Sequence, residues 1–123
     1  MKNYLLILTG ILFVCCQSQL ERPLTESEKL ADKQYYQFFG WMLFGDGDED
    51  TAIESLFKSA EAGNAEAQIE LGGCYAERPD LIKREKPDID SAVIWWLRAA
   101  EQDEWMAQRD LAYYYACLLY TSD

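Results

Sequence analysis

The chain has no histidine, so the usual general base and the commonest metal ligand are both missing. Basic residues are scarce as well: 11 lysines and arginines face 22 aspartates and glutamates, a net charge of −11. That balance argues against nucleic acid as a partner, because such affinity rests on cations neutralising phosphates. It suits a basic partner, and it serves plain solubility equally well. No phosphate-binding loop and no nucleophile elbow occurs. What the chain does have is apolar material. Half of its 123 residues are hydrophobic and 14% are aromatic, enough for a packed core in one domain or one short repeat array.

Neither end reads as part of that core. "MKNYLLILTGILFVCCQSQ", residues 1–19, has an early lysine, an apolar run from Tyr4 to Cys16 and then polar residues, the pattern of a secretory signal. The run is short of the roughly 20 residues a spanning helix needs, so a permanent membrane segment is the weaker reading. Phe13-Val14-Cys15-Cys16 resembles a bacterial lipoprotein box with Cys16 as the lipidated residue; ordinary cleavage near Ser18 is the alternative. Residues 20–25 form a linker. At the other end "CLLYTSD", Cys117–Asp123, resembles the translated end of a sequencing-library adapter, which places the last native residue near Ala116. With Cys15 and Cys16 given to export and Cys117 to that tail, Cys74 stands alone, and one cysteine makes no internal disulfide. A small buried side chain is its expected state.

Between the ends, one phrase occurs twice. "AEAGNAEAQIELGGCY", residues 60–75, returns as "AEQDEWMAQRDLAYYY", residues 100–115. At that offset Ile53, Leu56, Phe57 and Ala60 match Val93, Trp96, Leu97 and Ala100, an i, i+3, i+4, i+7 stripe in each copy. Ala67, Leu71, Cys74 and Tyr75 match Ala107, Leu111, Tyr114 and Tyr115 with helical spacing again. Each unit is therefore expected to be a pair of amphipathic helices. Asp48 and Asp88 are placed as N-caps with further acid behind them, and Pro87 lies just outside a helix start. Gly63 occupies the left-handed position where one helix reverses into the next; its counterpart Asp103 tolerates that backbone less well. Upstream, "QFFGWMLFGDGDED" is aligned as an earlier unit, with Phe39-Gly40 for Leu71-Gly72 and Leu43 for Tyr75. Helices are expected over about 26–44, 49–62, 65–77, 89–102 and 104–116, with "ERPDLIKREKP" as a long charged loop.

The combined pattern resembles Sel-one-like repeats, relatives of the tetratricopeptide repeats. Ala92, Trp95, Trp96, Arg98, Ala99, Ala100, Ala107, Gln108, Leu111 and Tyr115 carry the resemblance in one copy. Ala52, Lys58, Ala60, Gly63, Ala67, Gln68, Leu71, Gly72 and Tyr75 carry it in the other. It covers about residues 35–116 and implies an all-α fold, an α-solenoid of antiparallel helix pairs over residues 26–116. It also implies a scaffold or adaptor that holds another protein or peptide. Some exported members of the wider family are weak β-lactamases, but they carry cysteine pairs that this chain lacks.

Individual sites weigh little against simpler readings. Counted as an EF-hand from Asp46, "GDGDED" puts Thr51 at the glycine position and Phe57 at the bidentate glutamate, so it fails. Trp95 and Trp96 point about 100° apart on a helix and cannot form one flat platform; Trp96 belongs to the core stripe and Trp95 flanks it. Of three successive tyrosines, Tyr114 and Tyr115 fall on the stripe and Tyr113 is left over. Tyr113 and Trp95 are thus the candidate partner contacts. Glu66, Glu70 and Glu101 are expected to be solvated acids without a catalytic setting. No catalytic, cofactor-binding or metal-binding residues are assigned, and no cofactor is expected. The functional expectation is an exported, periplasmic or lipid-anchored interaction protein. It is not an enzyme, does not bind nucleic acid, and touches the membrane only through a lipid or an uncleaved signal. The other readings are the weak hydrolase and an immunity or regulatory protein with a basic partner. Mass spectrometry of the mature protein should show a lipid on Cys16 and, at the native C-terminus, residues other than Cys117–Asp123. An unmodified start near Gln19 would reverse the first expectation.

Overall fold

A computed structural model of the chain describes residues 22–102 and 104–121, with side chains as far as Cys117. The described residues form five α-helices and no strand. These are α1 (Glu26–Phe44), α2 (Glu49–Glu61), α3 (Ala65–Glu77), α4 (Ile89–Ala100) and α5 (Trp105–Thr121), with a 3-10 turn at Pro79–Ile82 between α3 and α4. Each helix packs mainly on the one before it and the one after it. None is long and apolar enough to cross a membrane. The leader with Cys16 lies outside the described residues, as does Asp103. The backbone of α5 stays helical past Ala116 to Thr121.

The helix starts follow from local chemistry. Thr25 and Glu28 form a capping box at α1, where the Thr25 N–H donates to Glu28 Oε2 at 2.7 Å and holds that carboxyl down at about 2. Asp48 accepts from the Thr51 N–H at 3.1 Å and Asp88 from the Ser91 N–H at 3.0 Å, so both expected N-caps are in place. The reversal from α2 to α3 takes three residues, Ala62, Gly63 and Asn64. Gly63 adopts φ +103°, its N–H donating to Ala60 O at 3.1 Å, and the Asn64 N–H donates to Ser59 O at 3.1 Å. Those two bonds are the paired closure of a Schellman motif. Asn64 then caps α3 through Ala67 N–H at 2.8 Å and ties its amide to Asp32 Oδ1 of α1 at 2.8 Å.

Two apolar clusters make the core. Phe38, Ala52, Leu56, Ala67, Leu71 and Cys74 centre the first, between α1, α2 and α3. Ile69, Ala92, Trp96, Ala99, Ala107 and Leu111 centre the second, between α3, α4 and α5. Trp96 is the largest side chain fully buried, and burying it contributes about 1.5–3 kcal/mol. Its indole N–H donates to Ile69 O at 3.2 Å, and its ring stacks on Tyr114 with centroids 4.8 Å apart. Gly72 makes this possible: a Cβ there would lie 2.6 Å and 2.9 Å from Trp96 Cδ1 and Cε2. Polar bonds bind the layers too. Ser59 donates to Ala31 O at 2.7 Å, and buried Gln68 donates to Ala60 O at 3.1 Å while accepting from Gln102 at 3.1 Å.

Several sequence expectations need correction. In α1 the buried aromatic is Phe38, not Phe39, and Leu43 is 54% exposed. A Cβ on Gly40 would meet nothing, unlike one on Gly72. The face of α1 toward α2 runs through Ala31, Tyr35, Phe38 and Trp41, one residue and so about 100° away from the aligned pair. Phe39 instead stacks on Tyr35, with centroids 5.8 Å apart. Leu97 and Tyr115 are 44% and 49% exposed rather than on the buried stripe. Their counterparts show why. Phe57 meets Tyr75 edge-on at 6.5 Å, and both pack with Leu81 and Ile82 against the first cluster. The segment read as a charged loop thus supplies an apolar 3-10 lid, fastened by Lys83 to Asp50 at 2.9 Å and by the Asp88 N–H to Tyr75 O at 2.8 Å. No described segment covers Leu97 and Tyr115 in that way.

Neighbouring glycines of α3 should respond oppositely to one methyl. Gly72→Ala should lower stability by about 1–3 kcal/mol through overpacking against Trp96. Gly73→Ala, whose Cβ meets open space, should raise it by up to about 1 kcal/mol through helix propensity. Urea denaturation checks both signs; a stabilised Gly72→Ala would refute the fit of the indole against Gly72.

Candidate functional groove

One face of α3 is covered by no other helix along its length. Glu66, Glu70, Gly73 and Glu77 recur at i, i+4, i+7 and i+11, so they share that face. Tyr35 of α1 stands on one side and Met106, Arg109 and Asp110 of α5 on the other, with Ile69 and Trp96 beneath. Together they enclose a cleft of about 270 Å³. A smaller cleft of about 140 Å³ continues past Glu70, Gly73 and Glu77 to Phe38, Trp41 and Met42. A wider one of about 490 Å³ adjoins at Glu66 and reaches Glu28 and Asp32 of α1 and Glu104 before α5. The central cleft shares Glu70, Gly73 and Glu77 with the smaller one and Glu66 with the wider one, so the three adjoin in a row along α3, and that row is the groove.

The groove is acidic over apolar walls. Burial pushes the Glu70 carboxyl up, and the charge of Asp110 adds to the shift. Burial likewise raises the Tyr35 phenol to about 12, with Glu70 and Glu66 adding to it. Tyr114, also held up at about 12 by burial and by Glu77, donates to Glu77 Oε1 at 3.3 Å. The tyrosines are therefore neutral donors at any physiological pH. Arg109 is the cation of the central cleft, and it donates from Nε and Nη2 to Asp110 Oδ1 at 3.0 and 2.8 Å. Glu70 accepts no hydrogen bond and pairs with no cation among the described residues.

Such a site has acceptors but no activated nucleophile. Cys74 is buried in the first cluster, and burial lifts its thiol to about 11, so it is not a thiolate near neutral pH. No group of three metal-ligating side chains gathers among the described residues.

The residues singled out from the sequence fall elsewhere or change character. Tyr113 is 64% exposed on α5, its ring edge-on to Tyr114 at 5.4 Å, and it does not line the groove. Trp95 is half-buried against the first cluster with the Arg98 guanidinium 4.6 Å above its ring. Glu101 is the exposed C-cap of α4. Glu66 and Glu70, taken from sequence as merely solvated acids, line the groove, with Glu70 at its centre. The 4-3-4 spacing of Glu66, Glu70, Gly73 and Glu77 is the sequence signal for this face. The approach of α1 and α5 turns the face into a trough. Comparison with family models, with curated proteins and with solved structures returns no match.

A carboxyl whose pKa is raised by folding destabilises the fold while ionised, and that loss disappears as pH falls through the folded pKa toward the unfolded one. Glu70→Gln should therefore raise the urea midpoint at pH 7, with the gap to the parent closing as the medium is acidified. A midpoint lowered at pH 7 would mean that ionised Glu70 holds a stabilising partner instead.

Proposed function

We propose that this chain is an exported helical-repeat protein of the Sel-one-like kind, working as a scaffold or adaptor that holds a segment of another protein. In this reading α1–α5 are successive members of antiparallel pairs stacked as a short α-solenoid. The matched Asp48 and Asp88 caps and the neighbour-to-neighbour helix packing support that architecture. The leader delivers the chain to the periplasm or holds it at a membrane by a lipid on Cys16. The protein binds and does not catalyse, and its excess of acid turns nucleic acid away.

The observation that carries the reading is the groove itself. Four helices, α1, α3, α4 and α5, contribute side chains to one trough that passes through Glu66, Glu70, Gly73 and Glu77. A trough that long fits an extended or helical segment better than a small metabolite. Its acidic lining also favours the regulatory reading, in which the partner is basic.

Gly73→Trp tests the proposal by filling the groove, since a Cβ at Gly73 meets no heavy atom within 4 Å and Gly73 lines both clefts. The variant should keep parental helicity and urea midpoint. It should also lose the protein that cross-links to the parent chain in envelope extracts. The same cross-linked species at the same yield from both chains would exclude the groove as the binding surface.

A further inference from the structure

The groove raises the question of what chemistry its occupant carries. Two of its clefts set apolar side chains among the acids: Tyr35, Ile69, Trp96 and Met106 at the centre, with Phe38 and Met42 further along, while the wide end at Glu28, Asp32 and Glu104 is polar. A neutral apolar segment would cover those side chains, but it would also cover the Glu70 carboxylate and leave it dry. Stripping water from an unpaired charge is costly, so such a segment is disfavoured. An acidic segment, a nucleic acid or an anionic lipid surface would meet Glu66, Glu70, Glu77 and Asp110 with like charge. A metal ion is a poor occupant too, with no three-ligand group among the described residues.

We infer that the groove takes a basic segment of another protein, and that its central cleft seats one arginine or lysine side chain of that segment between Glu70 and Asp110. This rests on the groove being the binding surface, as proposed above. The cleft of about 270 Å³ is small beside ordinary ligand clefts of about 300–1,000 Å³, which matches one long side chain rather than a compact molecule. The apolar stem lies along Tyr35 and Met106, as the stems of lysine and arginine do elsewhere. The cationic head meets carboxylate oxygens that lack a protein donor. Arg109 takes only Oδ1 of Asp110, and nothing among the described residues donates to Glu70. Each such contact is a charge-assisted hydrogen bond. The cation also relieves the repulsion between Glu70 and Asp110, whose mutual effect is visible in the raised Glu70 carboxyl.

The probe is a short blocked peptide of leucine and arginine, titrated into the isotopically labelled full chain and followed by amide shifts. Its counterpart has citrulline for arginine, nearly the same shape without the charge. The arginine peptide should bind saturably, moving the Glu70, Gly73 and Asp110 amides, and more weakly as salt is raised. The citrulline peptide, and the arginine peptide on Glu70→Gln or Asp110→Asn, should each bind about tenfold more weakly. Equal affinity for the two peptides, or parental affinity in both variants, would overturn the inference. The groove reading fails separately. If Gly73→Trp abolishes the native complex while arginine confers no advantage, the cation seat is wrong and the groove stands. If the arginine peptide behaves as expected but the native complex ignores Gly73→Trp, the seat exists and the partner binds elsewhere.

Discussion

The structure turns on one close approach, the Trp96 indole lying against the bare backbone of Gly72. Everything in the second half of the molecule is arranged around it. The ring carries a polar edge into the core, and Ile69 O accepts its proton at 3.2 Å, so the burial leaves no donor unsatisfied. Ala92 and Ala99 flank it on α4, keeping that helix near α3, and Tyr114 closes the far face by stacking. The same indole forms part of the floor of the acidic groove. The core and the groove therefore share one side chain, and the position of α5 over α3 follows from how that ring is held.

The first half solves the same problem with different chemistry. Leu56 stands where Trp96 stands in the later unit, and it is fully buried without needing a glycine opposite. Space left by the smaller residue is filled by Phe38 from α1. Ser59, in the place of Ala99, reaches across to Ala31 O, and Asn64 reaches Asp32, so α1 is tied at two points by hydrogen bonds. The two halves thus differ in whether volume or polar bonds register the neighbouring helix.

Much of the helical layout was legible before any coordinates, and the reasons are local. Asp48, Asp88 and Gly63 mark helix ends through bonds to their own backbone neighbours, so spacing alone placed α2, α3 and α4 within a residue or two. Rotation of α1 was not legible. Phe38 and Phe39 are equally apolar, and the choice depends on which one faces the recess lined by Ala52 and Leu56. The 3-10 lid hid for a related reason: Leu81 and Ile82 are two apolar residues among charges, with no period to announce them. The groove was half written. Its α3 face has a readable 4-3-4 spacing, but acids on one helix are normally wet, and only the tertiary approach of Tyr35 and Asp110 encloses Glu70.

The tight reversal through Gly63 and Asn64 has a mechanical consequence. Both residues are fully committed, one to closing α2 and the other to opening α3 while gripping α1. No slack remains there to act as a pivot. The α2–α3 elbow must therefore move as a single stiff bracket, carrying Glu66 and Glu70 with it. Any widening of the trough for a bulky guest has to be taken up by tilting α5, since α1 is bonded to the bracket itself.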